Sequence, residues 1–207
     1  VLEKAKSMRF DTRQVRATLD GTMTEVRMPI KPQLKYIQLL NDGRIESSND
    51  GGFDQDVKHI KLPYQPGDIV YVKETWNYFK YNNDYDKKYL SGYYYKASPE
   101  LVEDMPPLVK GYYGVRWFPS IHMPRAAARI FLRVTSREVE RLQDITEEGA
   151  RAEGTDWEVQ KAGGYVNDGY YRSRFLTVLW DGVYKKRGYG WDLNPWVTVT
   201  RFERVKN

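Results

Sequence analysis

Ile130, Leu132 and Val134 alternate with Phe131, Arg133 and Thr135. Only an extended chain turns a period of two into one apolar and one mixed face. This predicts a half-buried strand from Arg129 to Thr135, running on toward Leu142. One such strand is unstable alone; it needs sheet partners and a covering layer. Partners are legible. Pro66-Gly67-Asp68 turns into Ile69-Val70-Tyr71-Val72-Lys73-Glu74-Thr75-Trp76, a β-branched and aromatic strand. Leu34 to Leu40 reads as another, closed by the Asn41-Asp42-Gly43 hairpin turn. Asn194-Pro195 opens a last strand, Trp196 to Val205.

Three helical segments supply the cover. Asp11-Thr12-Arg13-Gln14 is a capping box before Val15 and Leu19, which predicts a helix over 12–20 stopped by Gly21. Asp144-Ile145-Thr146-Glu147 is a second box, opening a helix that ends at Gly154. Tyr171, Phe175, Leu179 and Val183 recur every four residues, as do Leu176, Trp180 and Tyr184, the pattern of a buried amphipathic helix. Lys185, Lys186 and Arg187 crowd its C-terminus, where the helix dipole favours cations. Pro29 and Pro32 hold an extended stretch, residues 47–58 read as a surface loop, and residues 77–110 read as a Tyr-rich insertion carrying a short strand, Tyr93 to Ala97. Strands in the majority with helices in the connections predict an α+β domain, residues 1–207, built round a small β-barrel.

Composition narrows the chemistry. With no cysteine, disulfides, thiolate nucleophiles and Cys-ligated zinc are excluded, and His59 and His122 are too few for a histidine metal centre. No metal or cofactor is expected. No apolar run reaches the ~20 residues that cross a bilayer, and the first residues lack a signal-peptide core. Aromatic residues are 14% of the chain and the net charge is +5. That balance suits a nucleic-acid partner, because phosphates attract Lys and Arg and bases stack on rings. It also suits a mixed, solvated surface.

Several peptides then stand out together. Phe10-Asp11-Thr12 with Val15-Arg16-Ala17, Leu19-Asp20-Gly21 and Lys31-Pro32-Gln33 resemble the opening of phage-type ASCH-domain proteins. Val72-Lys73-Glu74-Thr75-Trp76, Pro119 to Arg125, Arg141 to Ile145, Ala152-Glu153-Gly154, Gly188 to Trp191 and Asn194 to Val197 are similar to later segments of the same family. The resemblance runs from about residue 8 to 205. It implies a PUA-like barrel that binds RNA, modified bases or nucleosides in the cytoplasm of a bacterial host. Some small members hydrolyse N4-acetylcytidine through a Lys, a Thr and a Glu at the barrel mouth.

Measured against that pattern, Met23 stands where the family Lys is expected, Val26 replaces a Thr and Met28 an Arg. Ala126 and Thr198 occupy positions expected to be Trp, while Glu153 matches the family Glu. Neither a thioether nor an isopropyl group carries a proton. Loss of a positioned base costs about 10²–10⁴ in rate. The resemblance therefore implies a catalytically impaired pocket that binds a nucleobase, modified nucleoside or other small ligand, whether by natural repurposing or by deliberate redesign. Met23, Val26, Met28, Glu74, Trp76, Ala126 and Thr198 are its expected lining, and Arg27 and Arg125 the expected phosphate contacts to RNA or DNA. The alternative is an N4-acylcytidine amidohydrolase or related amidase working through Glu153 and Thr24. A third reading is an interaction protein whose barrel is filled. The Tyr93-Tyr94-Tyr95 run, with Tyr112 and Tyr113, is open between a stacking platform and internal packing.

Overall fold

A computed structural model of the chain describes residues 5–33, 35–40, 44–48, 58–83, 88–98, 116–155 and 169–205. Its centre is a five-stranded sheet made of β1 (Lys6–Arg9), β2 (Glu25–Pro29), β6 (Ile69–Lys73), β9 (Phe131–Arg141) and β10 (Trp196–Arg204). The strand order is β1-β6-β9-β10-β2, with β1 parallel to β6 and every other pair antiparallel. The alternation that predicted β9 does its expected work, because Ile130, Leu132 and Val134 are all buried. They meet Met8, Val70, Val72 and Phe202 from the neighbouring strands.

Helix α1 (Thr12–Leu19) covers this face with Val15 and Ala17. Its capping box forms as the sequence predicts: the Asp11 carboxylate accepts from the Arg13 and Gln14 amides, and the Gln14 side chain accepts from the Asp11 amide. The second helix, α2 (Glu147–Ala152), starts differently. Residues 142–144 form one 3-10 turn, and Thr146 is the N-cap, accepting from the Gly149 amide at 3.0 Å. The Glu147 carboxylate instead takes the Tyr171 amide at 3.0 Å, tying α2 to the start of the next helical segment.

That segment is longer and less regular than a single amphipathic helix. It runs through α3 (Tyr170–Arg174), a wide π-helical stretch Phe175–Trp180, α4 (Asp181–Tyr184) and a 3-10 turn Lys185–Arg187. Phe175 and Trp180 pack with Leu142, Ile145, Ala150 and Val197 in a second core.

Two smaller sheets flank the central one. β3 (Tyr36–Leu39), β4 (Ile45–Ser48) and β5 (Lys58–Ile60) pair antiparallel, and β7 (Trp76–Asn83) pairs with β8 (Lys88–Tyr95). The 47–58 stretch read as a loop thus begins and ends in strands; residues 49–57 lie outside the described residues. The expected Tyr-rich insertion opens as the β7–β8 hairpin, whose second strand begins at Lys88 rather than Tyr93. Tyr112 and Tyr113 lie outside the described residues. The architecture is α+β, but among the described residues no strand pairing closes these sheets into the expected barrel. None of the described helices is long and apolar enough to cross a membrane.

Candidate functional site

Glu153 is placed by three backbone features. It caps α2, donating its amide to the Gly149 carbonyl at 3.2 Å, and it bridges to Met23. The chain then turns away through Gly154 at φ +85°, where a Cβ would stand 2.7 Å from the Cβ of Ala17. Only glycine meets both demands. The result is a carboxyl only 3% exposed, facing the guanidinium of Arg27 at 3.1 Å.

Arg27 is the hub of a buried charge cluster. Glu25 and Arg27 share one face of β2, and strand register sets Arg201 opposite Glu25. Arg27 reaches Glu25 at 2.5 Å and Glu140 at 2.7 Å as well as Glu153. Arg201 pairs with Glu25 at 3.0 Å and also with Glu138. Burial pushes the Glu153 carboxyl up to about 8, against the pull of Arg27 and with the added push of the Glu25 charge. Arg27 is itself 4% exposed. Burial works against its charge, but Glu153, Glu25 and Glu140 together raise its pKa. Among carboxyls crowded round one guanidinium, the most deeply buried holds its proton at neutral pH while the arginine stays charged.

A cleft of about 790 Å³ opens beside this cluster. Val26, Arg27, Met28 and Glu153 form one wall, Met8, Phe10 and Tyr64 another, and Phe175, Leu179, Trp180, Val183 and Tyr184 the helical side. Because β2 is the edge of the central sheet, residues from both of its faces reach this space. The π-helical stretch contributes Phe175, Leu179 and Trp180; such widened turns recur at functional sites. Trp180 is fixed by a 2.7 Å bond from its Nε1 to the Tyr189 carbonyl, and its ring lies 4.4 Å from that of Tyr184. The volume falls in the range of small-molecule sites.

The expected site residues divide. Val26, Met28, Arg27 and Glu153 come together on the cleft. Thr198 sits opposite Met28 in the sheet, buried, with its hydroxyl 3.4 Å from the Met28 carbonyl. Met23 turns into the core, where its sulfur accepts from the Thr18 hydroxyl at 3.7 Å. Thr24 is exposed and serves the backbone, bonding Ala152 and Phe202. Glu74 is buried in a two-point pair with Arg129, both contacts 2.9 Å. Trp76 packs on Tyr93 and Phe118. Ala126 is exposed on a 3-10 turn, and Arg125 lies 5.8 Å from the Tyr71 ring. None of these seven, from Thr198 to Arg125, lines the cleft. Arg27 is a buried ion-pair hub rather than an exposed cation.

Sequence reasoning missed Arg9, Lys73, Thr75, Tyr184 and Arg187, all on the cleft. Lys73 and Thr75 were legible as two same-side residues of one extended run. Arg187 was read as a helix cap. Tyr95 belongs to packing: its hydroxyl donates to the Ala127 carbonyl at 2.6 Å, and burial pushes it up to about 12. Among the described residues no group of three His, Asp or Glu is arranged to hold a metal ion. Comparison of the chain with protein-family models, curated proteins and solved structures gave no match.

Proposed function

We propose that this chain is an ASCH-type, PUA-like domain that binds a nucleobase or modified nucleoside in the cleft beside Glu153 without hydrolysing it. One observation carries the reading: the Glu153 carboxyl is buried at the foot of an aromatic and aliphatic cleft, and that burial favours its neutral form. A neutral carboxylic acid both donates and accepts a hydrogen bond, which matches the paired donor and acceptor edge of a base. Tyr184, half-buried, offers a ring to the ligand, backed by the buried rings of Trp180 and Phe10, and Val26 and Met28 offer dry contact. The Arg27 charge is offset by its carboxylate partners, so the interior favours a neutral ligand.

The positions that the family resemblance assigns to proton carriers support binding over chemistry. Met23 packs in the core and Val26 offers only methyl groups. Thr24 lies off the cleft, so the Glu153–Thr24 pairing lacks a hydroxyl within reach of a bound ligand.

One observation favours the amidase as a second reading. Lys73 and Thr75 line the same cleft as Glu153, giving an amine, a hydroxyl and an acid in one space. The Lys73 ammonium donates to the Ile121 carbonyl at 2.9 Å.

Calorimetric titration with N4-acetylcytidine and the common nucleosides, with chromatography of the same mixtures, separates the readings. Saturable binding with the ligand recovered intact is the expected result. Release of cytidine and acetate over many turnovers, abolished by Lys73→Met or Thr75→Val, would establish the amidase. Absence of binding by every nucleoside contradicts the proposal.

A further inference from the structure

The charge in the cleft is graded along its depth. At the foot, the Arg27 guanidinium is compensated by Glu25 and Glu140, and Glu153 holds a proton. The lining also carries Arg9, the last residue of β1, and Arg187, in the turn after α4, both exposed. Among the described residues neither is held by a carboxylate. They belong to distant parts of the chain, yet both line the same cleft as Tyr184. The Arg187 guanidinium lies 5.9 Å from the Tyr184 ring. Burial raises the Tyr184 pKa, the Glu153 charge pushes the same way, and Arg187 and Arg9 both act to lower it. Tyr184 therefore shares the cleft with the buried Glu153 carboxyl and with two exposed cations that, among the described residues, have no carboxylate partner.

That gradient orients a ligand with a neutral end and an anionic end. We propose, resting on the nucleoside reading above, that the cleft takes a nucleoside monophosphate, with the base toward Glu153 and the terminal phosphate on Arg9 and Arg187. Two guanidinium forks suit a phosphate monoester, whose oxygens accept several charge-assisted hydrogen bonds at once. The base and sugar then lie along Tyr184, whose ring is held by stacking on the buried Trp180 at 4.4 Å.

The test is calorimetric titration of the full chain with cytidine, adenosine and N4-acetylcytidine, each beside its 5′-monophosphate, at low and high salt. The monophosphate is expected to bind at least about tenfold tighter than its nucleoside at low salt. High salt shrinks that margin, because exposed charges are screened. The Arg9→Gln/Arg187→Gln double variant, altered only at exposed positions, is expected to bind both forms with the nucleoside's affinity. Equal binding of nucleoside and monophosphate overturns this inference while leaving the nucleoside reading intact. Failure of both forms to bind overturns both. A dinucleotide that binds tighter than the monophosphate also overturns it, by assigning the cations to an internal phosphate of a strand.

Discussion

Gly149 leaves the space that the Arg27 guanidinium fills: a Cβ at position 149 would stand 2.8 Å from Nη2 of Arg27 and 3.2 Å from Oε1 of Glu25. Glycine in a helix interior costs about 1 kcal/mol relative to alanine. Here it admits the hub of the charge cluster. Gly149→Ala is therefore expected to destabilise the protein despite the better helix former, by about 1–3 kcal/mol, the usual cost of overpacking. Chemical denaturation measures it. A stability equal to or above that of the parent would show that Arg27 moves aside freely.

The Glu153 carboxyl gives the protein a specific pH dependence. Its folded pKa is raised from 4.5 to about 8, so the folded state holds a proton that the unfolded chain has released. Below 4.5 both states are protonated and the group contributes no difference. As pH rises from 4.5 to 8, this group's contribution makes the folded state progressively less stable, and above 8 the loss is complete. Glu153→Gln keeps the neutral shape and removes the titration. Its melting temperature is expected to gain on the parent steadily across that window and to run parallel below it. A constant offset at every pH would assign the window to another group.

Met23→Lys restores the residue that the family resemblance expects, but at a position only 2% exposed within the core. Removing one partner from a buried pair, or burying a charge without one, costs about 3–5 kcal/mol. Met23→Lys is expected to lose stability of that order at neutral pH and to create no amidase activity. Its melting temperature should recover at high pH, as the amine becomes neutral. A stable variant with new turnover on N4-acetylcytidine would show that position 23 serves the cleft after all.

Much of the fold was legible because its signals are local. The Asp11 capping box, the alternation through Ile130, Leu132 and Val134, and the stop at Gly154 each rest on a few adjacent residues whose chemistry admits one geometry. β1 was not legible: Lys6–Arg9 is short and polar, and it becomes a strand only through its parallel pairing with β6, whose start lies more than 60 residues away. The true cap of α2 was missed because Asp144 and Thr146 both suit the role, and the 3-10 turn at Leu142–Asp144 decides between them. Barrel closure was inferred from the majority of strands and from the resemblance, whereas pairing among distant strands determines it.

The candidate site divides on similar lines. Val26 and Met28 share a face of β2 by period alone, so both reach the cleft together. Met23 is five residues before Met28, but the bridge to Glu153 turns it into the core, and nothing in the local sequence marks that turn. Arg27 looked like a surface cation because its three carboxylate partners come from β2, β9 and the end of α2. Arg9 and Arg187 lie far apart in sequence and share the cleft only in three dimensions.

The most direct test of the account is a comparison of nucleoside binding by the parent, Met28→Trp and Ala126→Trp, using the nucleoside that the parent binds most tightly. Met28 lines the cleft and Ala126 is exposed away from it. The account predicts that the indole at position 28 fills the space and weakens binding at least about tenfold, while the indole at 126 leaves affinity unchanged. Undiminished binding by Met28→Trp, or loss of binding by Ala126→Trp, would contradict it.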